Sequence, residues 1–217
     1  MIKSAQTTRN TISDKIDRFK SKVYRVNPTP HACKRGAGRA LNISQIVDLY
    51  EEFKSFIQDR NLYYVDSNIV RPLTKSCHLS LAEFMGPSTV DWFVSHYWGT
   101  NFSYTVRALK LHANSVPRDS LITQSKITIA SEEGAKSIAT SSPITTASDW
   151  RSPGSISYWI CAFSNNQYQI GEELGTSHED SSFYLALHSE WVVGTVMVLD
   201  EQADRVETCG SRARIQD

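Results

Sequence analysis

The sequence predicts an α/β protein built on an open parallel sheet with helices packed against it. Two observations carry this. First, Val90-Asp91-Trp92-Phe93-Val94-Ser95-His96-Tyr97-Trp98-Gly99 reads as a buried strand, a polar aromatic loop and the entry to a helix, half of a parallel β-α-β unit. Second, two further segments, 155–163 and 194–199, have the β-branched and aromatic content of strands. All three segments stop at polar groups: Ser95-His96, Ser164-Asn165-Asn166-Gln167 and Asp200-Glu201. In a parallel sheet such tips share one edge, where ligands of open α/β folds bind.

The elements follow in chain order. Residues 1–40 hold ten Lys or Arg against two Asp and are broken by Pro28, Pro30, Gly36 and Gly38, which predicts a basic, disordered arm. Ile12, Ile16, Phe19 and Val23 mark at most a weak amphipathic helix within it. Residues 41–88 read as a helical extension. Asn42-Ile43-Ser44-Gln45 has the spacing of a capping box, and Ile46, Tyr50, Phe53 and Ile57 then recur at helical spacing until Asn61. Residues 62–69 suggest a short strand stopped by Arg71-Pro72. Ser80-Leu81-Ala82-Glu83 is a second capping box, and Gly86-Pro87 ends its short helix.

The α/β domain spans 89–200. After its first strand, Thr100 or Asn101 caps a helix with Phe102, Val106, Leu109 and Ala113 on one face. A Ser/Thr/Ala-rich stretch at about 117–147 lacks periodicity and reads as a disordered insert. Ser181 or Ser182 caps a short helix before the third strand. Residues 201–217 form an irregular tail without apolar period.

Composition limits the function. The 217 residues carry zero net charge, which argues against DNA as a partner. No apolar run approaches the roughly 20 residues of a membrane span, and residues 1–25 lack a signal-peptide core. The four cysteines form no C-x-x-C pair, which suits reduced thiols in the cytoplasm, and no Cys/His spacing suggests a metal. Dinucleotide, P-loop, nucleophile-elbow and zincin fingerprints are all missing.

The candidate site is therefore the shared edge of the strand tips. Ser95, His96, Trp98, Gly99, Asn165 and Asn166 are its ligand-binding candidates, suited to a polar ligand with a flat ring. His96 is a candidate base, a phosphate donor or a structural histidine. Glu173, in the acidic segment Gly171-Glu172-Glu173-Leu174-Gly175, is a second catalytic candidate or a solvated surface residue.

Asp91-Trp92-Phe93-Val94-Ser95-His96 resembles the first-strand motif of Toll/interleukin-1 receptor (TIR) domains. Together with Tyr158-Trp159-Ile160-Cys161-Ala162-Phe163-Ser164-Asn165-Asn166-Gln167 and residues 194–200, it is similar to an uncharacterised TIR-like family of protists. The resemblance covers about residues 70–113 and 155–200. It implies a flavodoxin-like parallel sheet and one of two activities: self-association in intracellular signalling, alone or with another TIR-like domain, or cleavage of NAD at the nicotinamide–ribose bond. The enzymatic branch needs a glutamate shortly after a Trp-Cys pair. Here no Trp precedes Cys209 and no Glu follows it, so that glutamate is not carried over and the sheet reads as incomplete at its C-terminal end. An exposed edge at the third strand would then invite pairing with another chain. The first expectation is thus a TIR-like association module without catalytic activity or cofactor. The second is an NAD-cleaving hydrolase, with the nucleotide as substrate. The third is a degenerate, truncated gene product.

Overall fold

The computed structural model describes residues 11–116 and 152–199. Residues 1–10 of the arm, the whole insert at about 117–147, and the tip Asp200-Glu201 with the rest of the tail lie outside them.

Helix α1 (Ile12–Val26) opens the described chain. The Thr11 hydroxyl accepts from the Asp14 N–H, and the Asp14 carboxylate accepts from the Thr11 N–H, so two free amides of the first turn are satisfied. Ile16, Phe19 and Val23 are buried along one face, and Phe19 meets Phe53 edge-on at 5.6 Å. This corrects the expected disordered arm over residues 12–26. Five of the ten basic residues that suggested a solvated arm, Lys15, Arg18, Lys20, Lys22 and Arg25, belong to this helix and lie off its buried face. Lys22 reaches Asp48 at 3.0 Å and Arg18 reaches Glu52 at 3.1 Å, both on the next long helix.

A two-residue strand, β1 (Leu41–Asn42), leads directly into α2 (Ile43–Ile57). The Asn42–Gln45 capping box is present in both directions, and Ile46, Leu49, Phe53 and Ile57 are buried. Asn61 is not the stop of α2. Gln58 ends it with φ +41°, and Asn61 instead caps α3 (Leu62–Val65). The expected short strand at 62–69 is also helical. α3 widens into a π-turn at Asp66–Val70 and continues as α4 (Arg71–Thr74). Pro72 has no N–H to donate, and the wider turn just before it reorganises the ladder at the point where a donor is missing. Helix α5 (Leu81–Met85) is capped by Ser80 and closed by Gly86 at φ +92°, as the sequence predicts.

Strand β2 (Trp92–His96) is followed by α6 (Phe102–Ser115), capped by Asn101. Strand β3 (Ser157–Trp159) is shorter than the nine residues expected. The chain turns at Ile160 into a helical turn, α7 (Cys161–Ser164), in which the Phe163 and Ser164 N–H groups donate to the Ile160 carbonyl. Two short helices, α8 (Ile170–Leu174) and α9 (Ser182–Leu187), precede β4 (Gly194–Val198).

The sheet order is β1-β3-β2-β4. β2 is central and parallel to both β3 and β4, while β1 adds antiparallel to β3. The larger core lies on one face. There Val94, Tyr158 and Val198 share a cluster with Phe19, Phe53, Phe84 and Leu109. The second face is thinner. Phe93 stacks on Trp159 at 5.0 Å, and Phe183 and Ala186 of α9 cover them. The residues read as a helical extension at 41–88 thus share one core with the sheet rather than standing apart from it.

Candidate functional site

The carboxyl ends of β2 and β3 do meet, and they meet around Cys161. The Trp98 indole N–H donates to Cys161 Sγ at 3.1 Å, and His96 Nε2 lies 3.9 Å from the same sulfur. Cys161 is buried, at the first position of α7, where the early end of β3 puts it. No role for it is legible in the sequence, where it sits inside the longer expected strand 155–163. Its position follows only from the turn at Ile160.

His96 is buried at the last position of β2. Loss of water holds its pKa down at about 4, so the ring is neutral near pH 7. Its Nδ1 has no hydrogen-bond partner. Ser95 is half-buried and, by strand alternation, points to the opposite face, in register with Met197. The two neighbours do not converge on one atom.

Trp98 packs against both cores, tilts against Tyr63 at 5.3 Å, and its carbonyl accepts from the Leu62 N–H at 3.0 Å. It ties the loop after β2 to α3. Gly99 lies under the Tyr97 ring, where any side chain would collide with that ring. Asn165 Oδ1 is buried without a partner. Asn166 is fully engaged. Its Nδ2 donates to the His78 carbonyl at 2.7 Å and to Gln169 Oε1 at 3.0 Å, and its Oδ1 accepts from the Tyr168 N–H at 3.0 Å.

Glu173 stands apart from His96, in a buried ion-pair cluster that the sequence did not signal. Arg39 Nη1 lies 2.5 Å from Glu173 Oε1, and Arg39 Nη2 lies 3.0 Å from Glu83 Oε1. The remaining carboxylate capacity is filled by other donors. The Asn166 N–H and the Ser182 hydroxyl donate to Glu173; the Cys33 and Ser80 N–H groups donate to Glu83. Burial works against the Arg39 charge, but Glu173 and Glu83 outweigh it and hold its pKa above the ordinary value. The cluster ties the loop before β1 to α5, α8 and α9. Neither α8 nor the loop before β1 shows this in sequence, because the partners are far apart along the chain.

An open cleft of about 460 Å³ lies elsewhere, lined by Cys33, Lys34, Arg35, Thr89, Leu185 and Trp191 among others. Thr89 and Trp191 precede β2 and β4, so this cleft is at the amino ends of the strands, opposite the tips. Arg35 is already paired with Asp180 at 2.9 Å. Among the described residues no group of His, Cys, Asp and Glu could hold a metal ion, and no helix is long and apolar enough to cross a membrane.

Comparison with family models, curated proteins and solved structures returns no match to this chain.

Proposed function

We propose that the chain is a TIR-like association module of flavodoxin-like fold, working in the cytoplasm without catalysis of its own. The fold part is supported by the strand order. Taken alone, the three parallel strands run second, first, third across the sheet, which is how a flavodoxin-like sheet begins. The functional part is carried by one observation: the carboxylate nominated for catalysis is consumed by an internal ion pair. Glu173 faces Arg39, not His96. Trp98 and Asn166, the stacking and amide candidates, likewise bond within the protein. The test is incubation of the purified chain with NAD and assay for free nicotinamide. The expected result is none above the protein-free rate.

NAD cleavage is the second reading, and two atoms favour it. His96 Nδ1 and Asn165 Oδ1 are buried at the strand tips with no partner. A buried polar atom without a hydrogen bond costs about 1–3 kcal/mol, which a polar ligand would recover. Nicotinamide release that disappears in a folded His96→Ala variant would establish this reading in place of the first.

A further inference from the structure

We propose that the cleft at the amino ends of the strands binds a mononucleotide, with the loop 34–38 taking the phosphate and Trp191 the base. The site is separate from the strand tips and does not depend on the association reading. The loop before β1, Thr89, Leu185 and Trp191 form its walls, and none of them adjoins an undescribed segment along the chain.

The loop spends its acceptors within the protein and keeps its donors. The Cys33 carbonyl accepts from Arg39 Nη2, the Gly36 carbonyl from the Arg39 N–H, and the Ala37 carbonyl from the Val90 N–H. The N–H groups of residues 34–38 bond to no group among the described residues. Successive unspent amides in a turn are the chemistry of an anion-binding concavity. Gly36 sits within this run at φ +91°. A Cβ there would lie 2.8 Å from the Leu185 Cβ, so glycine alone lets the loop lie this close against α9.

Charge points the same way. Lys34 and Arg35 line the cleft and no carboxylate does. Arg35 is spent on Asp180 at 2.9 Å, and Arg39 at the end of the loop is spent on Glu83 and Glu173. Lys34 is exposed and forms no ion pair among the described residues, which leaves its ammonium for a ligand. Amide donors with one ammonium fit a phosphate. The other wall fits a flat ring. Trp191 is 50% exposed, and any base presents a face on which an indole can stack. The volume of about 460 Å³ lies in the range of small-molecule sites, and a bare phosphate would leave most of it empty.

The experiment is equilibrium dialysis of the full chain against AMP, inorganic phosphate and adenosine, with alkylation of Cys33 and Cys77 followed in parallel. The expected result is saturable AMP binding, about tenfold or more tighter than that of phosphate or adenosine alone. AMP slows alkylation of Cys33, which lines the cleft, and leaves that of Cys77 unchanged. Lys34→Gln and Trp191→Ala, both at exposed positions, each weaken AMP binding about tenfold, while Lys110→Gln on the exposed side of α6 does not. No saturable AMP binding up to about 10 mM would overturn the proposal. So would AMP binding that neither protects Cys33 nor responds to the two cleft variants, or phosphate binding as tightly as AMP.

Discussion

Arg39 holds two buried carboxylates, and its removal is the most disruptive single change expected from the structure. Arg39→Ala leaves Glu83 and Glu173 buried and uncompensated, a loss of about 3–5 kcal/mol in urea unfolding. A loss below about 1 kcal/mol would mean that the cluster is wet or not formed. Adding Glu173→Gln to that variant should recover part of the loss by removing one of the stranded charges. His96 gives a pH signature. Its pKa is about 4 in the folded protein and near the ordinary 6.5 when unfolded. The unfolded chain therefore binds this proton first as pH falls. The folded state loses stability between about pH 6.5 and 4, by at most about 1.4 kcal/mol per pH unit, and is level again below 4. Unfolding measured across that window should show a shallower slope for His96→Asn than for the wild type, and equal slopes would contradict its burial as a neutral ring. Neither residue's environment was legible in sequence. Arg39 meets its partners across 44 and 134 positions, distances at which no local pattern exists.

At the scale of elements, what was legible was what is local. The capping boxes at Asn42 and Ser80 and the cap at Asn101 appear where the spacing put them, since each is a contact between residues two or three apart. Asn42→Ala should cost about 1 kcal/mol, with the loss read by chemical denaturation; no change would mean that Gln45 alone holds the start of α2. Three elements were misread for physical reasons. The α1 stripe looked weak because its partner face on α2 is invisible from its own sequence. The apolar run 155–163 hid a change from strand to helical turn, since a short, fully buried run has no period to read. At 66–74 a proline was taken as a breaker where a π-turn accommodates it.

For the whole molecule, the parallel alignment of the three strand segments was legible, because strand–loop–helix patterns favour crossover connections and polar tips fix the direction. The use of the tips was not. Sequence placed His96, Trp98 and Asn165 near one another but could not show that Cys161 sits among them and that Trp98 closes over it. The proposal of an association module, carried by the pairing of Glu173 with Arg39, also requires that the strand tips be closed in this way. It is tested most directly by native-state alkylation followed by peptide mapping. Cys33 and Cys77, both half-buried, should be modified while Cys161 stays unmodified until the protein unfolds. Cys161 reacting as fast as Cys33 in the folded protein, and slowed by added NAD, would show an open pocket at the strand tips and contradict the account.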